Sequence, residues 1–316
     1  MATEDFVAVS ADDWYQRRRS DAEGEFFRKV ADQGPRKGAG GSTRQGIYCL
    51  TADGKLLAYK NAGQSPEVMR EALRQGLKEW KKLPAERRKP GAAQVGEAGK
   101  VDARYDRQPP PGGLIVNVYT RILGREKGEL CRGTCKSVVG EQAARDHLWL
   151  TQAEWQGLIP NNPFEGNQAP LAPAVAERIL RFHLIDNTRG EPPMWRREDI
   201  RSQKLTLTVV LVTPLEVRLK LHGQVLLANG ADAAKAERGF EAQVQGEILY
   251  DRKKQAITRF DAVALGEHWG ESSFTREARA GRQPLGVSFH LAGKDPADLV
   301  PPQAAREIGL YLGRYK

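Results

Sequence analysis

The chain has 316 residues, a formal net charge of +9, 40% hydrophobic residues and 28% charged residues. These values are typical of a soluble globular protein long enough for two domains. The apolar runs fall short of the roughly 18 to 20 residues that a membrane-spanning helix needs, and three cysteines cannot build a dense disulfide framework.

The first residues of the chain do not indicate the cellular compartment of the protein. Residues 1–5 have neither the basic start nor the apolar region of a signal peptide, although a processed start would hide one. The excess of Lys and Arg could attract nucleic acid, because counterion release favours clustered cations. The basic clusters are short, fall in different predicted elements and lack interleaved aromatic residues, so ordinary solvated surface is favoured over nucleic-acid binding.

The first quarter of the chain predicts a strand, a helix, a hairpin and a second helix in that order. A short buried strand is expected at residues 6–10, and an amphipathic helix from about Asp21 to Asp32. Asp53-Gly54 predicts the tight turn of a hairpin over residues 46–59. Ser65 is a suitable N-cap, and Pro66 suits the first position of a helix whose apolar stripe comprises Val68, Met69, Ala72, Leu73, Leu77 and Trp80.

One pattern in this region resembles the second half of a thioredoxin-like domain. It consists of Gly46-Ile47-Tyr48-Cys49-Leu50, then Asp53-Gly54-Lys55-Leu56-Leu57, then Gly63 and the closing helix, within residues 6–80. The resemblance implies a degenerate thioredoxin-like module. The family's Cys-x-x-Cys would lie before Phe6 and is missing, and Arg44-Gln45-Gly46 stands where the family has a cis-proline. The resemblance therefore assigns no redox residue.

Such a module is one strand short. A thioredoxin-like sheet has four central strands, and residues 6–80 supply three of them. The strand-like run at residues 114–123 can join the later strands, but we expect it to pack beside the edge at residues 6–10, because an unpaired edge invites association. The alternative is that the encoded protein begins further upstream.

Residues 83–113 are rich in proline, glycine and charge, and they end in Pro109-Pro110-Pro111-Gly112-Gly113. This composition predicts a linker with a polyproline II end. The expected organisation is a thioredoxin-like module at residues 1–82, a linker at 83–113 and a β-rich domain at 114–316.

The C-terminal part predicts antiparallel strands. Apolar and polar residues alternate over residues 215–222, 240–250, 257–265 and 285–291, and an apolar run covers 205–213. Short links between these runs favour an antiparallel meander or partial barrel. Helices predicted at residues 151–158, after the capping-box pattern of Thr151 and Glu154, and at 173–184 would cover this sheet. The fold class is therefore α+β.

Cys131 and Cys135 form the most chemically suggestive local motif. Thiolates four residues apart can bind a soft metal or form a labile disulfide, and His147 is the nearest further ligand. The spacing is unspecific, and Gly133 and Thr134 disfavour a helix between the cysteines. A structural or incidental role is favoured over a redox pair or a metal site.

Three histidines, His222, His268 and His290, fall in or at the ends of the predicted strands. If the sheet curls, their side chains could converge with Asp261, Glu267 and Glu271 on a metal ion or an acid-base site. The simpler interpretation places these histidines on the solvent-exposed face of the sheet.

No phosphate-binding loop, dinucleotide fingerprint or nucleophile elbow is present in the sequence. The favoured function is therefore a non-catalytic or binding protein with an unknown ligand or protein partner. Two alternatives remain: a metal-dependent or thiol redox protein that uses the β-rich domain, and a nucleic-acid-binding protein.

Overall fold

A computed structural model describes residue 1 and residues 4–38, 40–61, 65–93, 99–131, 143–230 and 232–313. The chain divides into two compact units, Met1–Arg107 (unit 1) and Gln108–Lys316 (unit 2). The fold is mixed, with helices in both units and a large antiparallel sheet in unit 2.

Unit 1 is built from short helices, one hairpin and one long helix. Its elements are α1 (Asp13–Gln16), α2 (Ala22–Ala31), β1 (Ile47–Leu50), β2 (Leu56–Lys60), α3 (Pro66–Lys82) and a 3-10 turn (Ala85–Arg88). The predicted helix, hairpin and closing helix are confirmed, and Gly54 has the positive φ of +84° that the hairpin turn requires. The resemblance to a thioredoxin-like domain stays a prediction.

Helix α3 begins as its sequence predicts and then packs closely on the hairpin. The Ser65 hydroxyl accepts a hydrogen bond from the Val68 amide at 3.3 Å, and Pro66 occupies the first turn. In the middle of the helix, a Cβ atom on Gly76 would lie 2.6 Å from the Cβ of Cys49 in β1. Glycine at this position therefore lets α3 and β1 approach closely.

The prediction of a strand at residues 6–10 is wrong. This segment forms no strand in the described structure, and the side chains of Val7 and Val9 are 93% and 80% exposed. Apolar side chains alone do not make a strand, because each strand also needs a partner for its backbone N–H and C=O groups.

The predicted linker is partly folded. Its residues up to Arg107 belong to unit 1, where Asp102 accepts hydrogen bonds from the amide and the hydroxyl of Ser20, both at 3.0 Å. The ring of Tyr105 lies edge-on to that of Trp14, with 5.8 Å between centroids. These contacts fix residues that the composition alone assigns to a flexible segment.

Unit 2 begins with a strand and ends with a short helix. Its strands are β3 (Leu114–Ile122), β4 (Arg125–Glu126), β5 (Glu129–Leu130), β6 (Ala143–Leu150), β7 (Gln168–Pro170), β8 (Ile200–Val212), β9 (Glu216–Ala228), β10 (Gly239–Asp251), β11 (Ala256–Trp269) and β12 (Gln283–Leu291). Its helices are α4 (Gln152–Gln156), α5 (Pro173–Arg178) and α6 (Ile308–Tyr311), with 3-10 turns at Arg197–Asp199, Ala233–Lys235, Pro296–Leu299 and Gln303–Glu307.

Eight of these strands form one antiparallel sheet in the order β6, β3, β12, β11, β10, β9, β8, β7. The consecutive strands β8 to β12 are the predicted meander. Strand β3 pairs with β12 on one side and with β6 on the other. The expectation that residues 114–123 pack beside residues 6–10 is therefore wrong, because both edges of β3 are already paired within unit 2.

One face of the sheet buries the main hydrophobic core. Alternate residues of its strands, such as Val244 and Ala264, pack with Trp155 and with α5. The second predicted helix begins at Pro173 as expected, but its last part is a π-helical turn at Ile179–His183. All five residues of this turn are buried. A π turn widens the helix, and such turns are frequent at functional positions.

A second buried cluster lies at the β6 edge, where Trp149 and Phe182 pack with Tyr311 of α6. The hydroxyl of Tyr311 accepts a hydrogen bond from the Trp149 amide at 3.0 Å and lies 2.9 Å from Nε2 of His183. The C-terminal helix is thereby attached to the edge strand. None of the helices in the described ranges is long and apolar enough to cross a membrane.

Candidate functional site

The predicted Cys131–Cys135 site stays untested, because the structure describes only Cys49 and Cys131 among the three cysteines. Cys131 is disulfide-bonded, and Cys135 lies outside the described residues. Cys49 is free, but it is 2% exposed and burial raises the pKa of its thiol. A buried thiol with a raised pKa is a poor nucleophile at neutral pH.

His147 lies on β6, paired in register with Asn117 of β3, and is 4% exposed. Burial lowers the pKa of its imidazole, and Nε2 has no hydrogen-bond partner. The predicted association of His147 with Cys131 and Cys135 stays untested, because Cys135 and its neighbours fall outside the described part of the chain.

His222 and His290 both lie on the face of the sheet opposite α5, which we call the outer face. Nδ1 of His290 lies 2.6 Å from Oδ1 of Asp261, its cross-strand neighbour on β11. His222 lies on β9, with β10 and β11 between it and β12. Strands are about 4.8 Å apart, so the two imidazoles are too distant to bind one metal ion in this arrangement.

Ser288 lies two residues before His290 on the same face and raises the question of a Ser-His-Asp triad. Such a triad needs the serine hydroxyl within hydrogen-bond reach of the histidine ring. No hydrogen bond joins Ser288 to His290 in the described structure. Among the described residues, Ser288 is therefore not hydrogen-bonded as a serine nucleophile of the His290–Asp261 pair would be.

His268 lies on the other face of the sheet. Successive strand residues point to opposite faces, so His268 faces the core with Ala264 while Glu267 points outward and forms an ion pair with Arg125. The convergence of His222, His268 and His290 with Glu267 is therefore not observed. No group of three or more His, Cys, Asp or Glu side chains in the described ranges is arranged to hold a metal ion.

The outer face carries two cross-strand rows that contain no Lys, Asp, Glu or Arg over their central strands. Their members are His222, Gln245, Val263, Ser288 and Tyr119 in one row and Gln224, Gln243, Leu265 and Gly286 in the next. We call these residues the neutral patch. Tyr119, Val263 and Leu265 within it are 41%, 41% and 38% exposed. The longer row crosses five strands and spans roughly 20 Å.

Charged pairs border the neutral patch on two sides. On one side Arg259 binds Glu247 at 2.7 Å and Asp261 at 2.5 Å. On the other side Arg282 binds Glu241 at 2.6 Å, and Arg125 binds Glu267. The border thus carries both signs of charge.

A shallow depression of about 760 Å³ overlaps the patch and its border. Side chains of four strands line it, including His222, Gln245, Val263 and Ser288 from the patch and Asp261 from the border. The depression gives the outer face a concave region in which polar and apolar groups are close together.

The core side of the sheet holds a second polar cluster around His268, which is 8% exposed. Burial lowers the pKa of His268 to about 4, and the positive charges of Arg189, Arg238 and Arg279 act in the same direction while Asp186 opposes them. His268 is therefore neutral at pH 7.

Asp186 follows the π-helical turn and supplies negative charge to this cluster. Its carboxylate accepts hydrogen bonds from the amide and the hydroxyl of Thr188 at 3.0 and 2.6 Å, and from Nε of Arg189 at 2.9 Å. Burial alone would raise the pKa of Asp186, but Thr188, His268 and Arg189 together lower it.

Sequence reasoning missed Asp186, Arg189, Arg238 and Arg279 as members of this cluster. The spacing of Asp186, Thr188 and Arg189 is a local turn signal, but it does not point to His268, which lies about eighty residues further on. The sheet register and the position of α5 bring these residues together. Comparisons with protein-family models, with curated proteins and with solved structures find no match to this chain.

Proposed function

We propose that this chain is a non-catalytic binding protein whose neutral patch binds a polypeptide partner. The observation that carries the proposal is the pairing of exposed apolar and uncharged polar side chains, in register across five strands, inside a border of charged pairs. Tyr119, Val263 and Leu265 supply apolar area, and Gln245 and Ser288 supply hydrogen-bonding groups between them.

The composition of the patch supports a protein partner. The centres of protein interfaces are depleted in Lys, Asp and Glu and enriched in aromatic residues, while their rims are polar. An ordinary solvated sheet face of a chain with 28% charged residues would carry charges in its central rows as well. Here the charges, such as Arg259 with Asp261 and Arg282 with Glu241, lie at the border.

The dimensions also suit a polypeptide. The patch is roughly 20 Å long and two rows wide, so it is smaller than one side of a standard interface, about 800 Å², and matches the length of a short extended peptide. The border carries both signs of charge, so it can match charges of either sign on a partner and fix its orientation.

A peptide library displayed on phage tests the proposal. The wild-type chain is expected to enrich peptides whose binding is lost when Tyr119→Glu or Val263→Glu introduces a charge into the patch. The matched control is Phe164→Glu, at a residue of unit 2 that is 63% exposed and lies outside the patch. It should leave binding unchanged.

Two results would count against the proposal. One is the absence of enriched peptides, and the other is enrichment that Phe164→Glu reduces as much as Tyr119→Glu. Sedimentation velocity of the wild type and of Val263→Glu adds a separate arm. A dimer that Val263→Glu dissociates would identify a second copy of this chain as the partner.

The metal-dependent, thiol redox and nucleic-acid alternatives stay hypotheses. The disulfide bond of Cys131 fits a redox role and a purely structural bond equally well. Elemental analysis tests the metal hypothesis, and a disulfide reductase assay tests the redox one. Binding to DNA or RNA that weakens steeply with added salt would support the nucleic-acid hypothesis.

A further inference from the structure

Arg238 is a buried cation whose charge is not directly paired. The residue is 8% exposed, and its guanidinium lies 3.9 Å above the centre of the Trp195 ring. Nη2 donates a hydrogen bond to the carbonyl of Pro193 at 2.9 Å. Within the described structure, no carboxylate forms an ion pair with this side chain.

Burial disfavours the charged form of Arg238. It lowers the pKa of Arg238 to about 10, and the more distant Asp199 and Asp186 only partly oppose the effect. Leaving a buried charge without a partner is costly, so buried cations are normally paired with an anion.

The surroundings of Arg238 carry an excess of positive charge. Asp186 is occupied by Arg189 and Thr188, and the Asp199 carboxylate accepts the amide of Arg196 at 2.9 Å. Arg279 donates to the carbonyls of Leu123 and Pro284 and has no carboxylate partner in the described ranges. The guanidinium groups of Arg189, Arg238 and Arg279 thus outnumber Asp186 and Asp199, and Glu267, whose charge also acts on Arg279, is ion-paired with Arg125.

His268 lies beside Arg238 and has free hydrogen-bonding capacity. It pairs in register with Phe240, and Arg238 lies one residue before β10 begins, so continuing the ladder places Arg238 diagonal to His268, whose charged form it disfavours. Neither ring nitrogen of His268 makes a hydrogen bond in the described structure. Arg238 and His268 are each 8% exposed, so a small part of each residue is in contact with solvent.

We propose that Arg238 and His268 form a binding site for a small oxyanion, which is a carboxylate or a phosphate group. The site lies at the end of the sheet where β10 begins and β11 ends. The site lies on the face opposite the neutral patch and is independent of it. Arg238 supplies the charge and donors from its planar guanidinium, whose geometry matches carboxylate and phosphate oxygens. Neutral His268 supplies one further N–H donor.

The oxyanion completes the charge balance of the cluster. Arg279 and Arg189 contribute long-range attraction, while their own N–H groups hold backbone carbonyls such as those of Leu123 and Thr275 in place. Trp195 keeps the guanidinium of Arg238 in position by stacking, so little side-chain freedom is lost when the anion binds.

Thermal unfolding and isothermal titration of the full chain test the site. Sodium chloride is replaced by sodium phosphate or sodium acetate at constant ionic strength, and Tm and Kd are measured for each anion. A saturable rise in Tm is expected with the anion that binds, because a ligand of the folded state stabilises it. The phosphate and acetate arms distinguish the two classes of oxyanion.

Variants separate specific binding from the general stabilising effect of phosphate salts. Arg238→Gln is expected to raise Kd by about tenfold or more, the loss expected when charge-assisted hydrogen bonds are removed. The matched control is Arg282→Gln, since Arg282 also stacks on a tryptophan, at 4.0 Å from the Trp269 ring, but is exposed and paired with Glu241. It should retain the wild-type Kd.

His268→Gln provides a second variant should Arg238→Gln fail to fold, and it is expected to weaken binding several-fold. Equal Tm values in chloride, phosphate and acetate would overturn the proposal. So would a Tm response that all three variants preserve, because that response would come from the salt rather than from this site.

Discussion

Arg178 and Glu154 form a largely buried, bidentate ion pair that joins α5 to the start of α4. Nη1 and Nη2 of Arg178 donate to the two carboxylate oxygens of Glu154 at 2.5 and 2.6 Å, and Arg178 is 3% exposed. The same guanidinium donates to the carbonyls of Trp149 and Tyr311 at 3.0 and 2.9 Å. One side chain thus connects the sheet edge, both helices and the C-terminal segment.

Removing one partner of this pair should strongly destabilise unit 2. We expect Arg178→Ala to lower the free energy of unfolding by about 3 kcal/mol, since it leaves the partly buried Glu154 without its cation. Urea denaturation followed by tryptophan fluorescence measures the change. The control Arg196→Ala removes an exposed ion pair with Glu198 at 3.7 Å and should cost less than about 1 kcal/mol. Equal losses in the two variants would contradict the assigned role.

Tyr311→Phe should destabilise the attachment of α6 to the β6 edge. The change deletes the hydroxyl that accepts the Trp149 amide and lies beside His183, so buried polar groups lose their partner. A loss of about 1 to 3 kcal/mol is expected in urea denaturation. Tyr119→Phe is the matched control, because Tyr119 is 41% exposed and water replaces any lost contact. A neutral effect of Tyr311→Phe would show that α6 is not held by this hydroxyl.

His268 should make folding stability depend on pH between about 4 and 6.5. Its pKa is about 4 in the folded state against 6.5 for an ordinary histidine, so within this window the unfolded chain binds a proton that the folded chain does not. Stability from this group is therefore fully present above pH 6.5 and falls as the pH decreases, by roughly 3 kcal/mol at pH 4.

The difference between wild type and His268→Gln isolates this contribution, because carboxylates titrating in the same window affect both proteins. Urea denaturation at several pH values from 7 to about 4 should show a smaller decrease for His268→Gln. His222→Gln, at an exposed histidine of the outer face, should keep the wild-type dependence. Parallel curves for wild type and His268→Gln would refute the prediction.

Gly76→Ala should weaken the packing of α3 on β1 even though alanine is the better helix former. The added Cβ would lie 2.6 Å from Cβ and 2.9 Å from Sγ of Cys49. We expect a net loss of about 1 to 3 kcal/mol after the helix-propensity gain of about 1 kcal/mol. Hydrogen exchange of the α3 and β1 amides reports the local opening, and Gln75→Ala on the exposed face is the control. Slower exchange in Gly76→Ala would contradict the close approach.

The sequence by itself determined the elements whose signals are local. Strict alternation over residues 215–222 and 240–250 predicted strands of the meander, since side chains of a strand alternate between a buried and a wet face. Ser65 and Thr151 predicted where α3 and α4 begin, because a cap acts on amides two or three residues away. The wet-face positions of His222 and His290 followed from the same alternation.

Only the tertiary structure decided what depends on pairing between distant segments. Residues 114–123 and 6–10 both have strand-like composition, yet the first is paired on both edges and the second forms no strand, because hydrogen-bond partners are supplied by remote parts of the chain. The neutral patch depends on the register of five strands, and the approach of Arg238 to His268 and Asp186 depends on the pairing of β10 with β11 and on the position of the segment that follows α5. Composition and spacing carry no information about either, since both depend on which residues the folded backbone brings together.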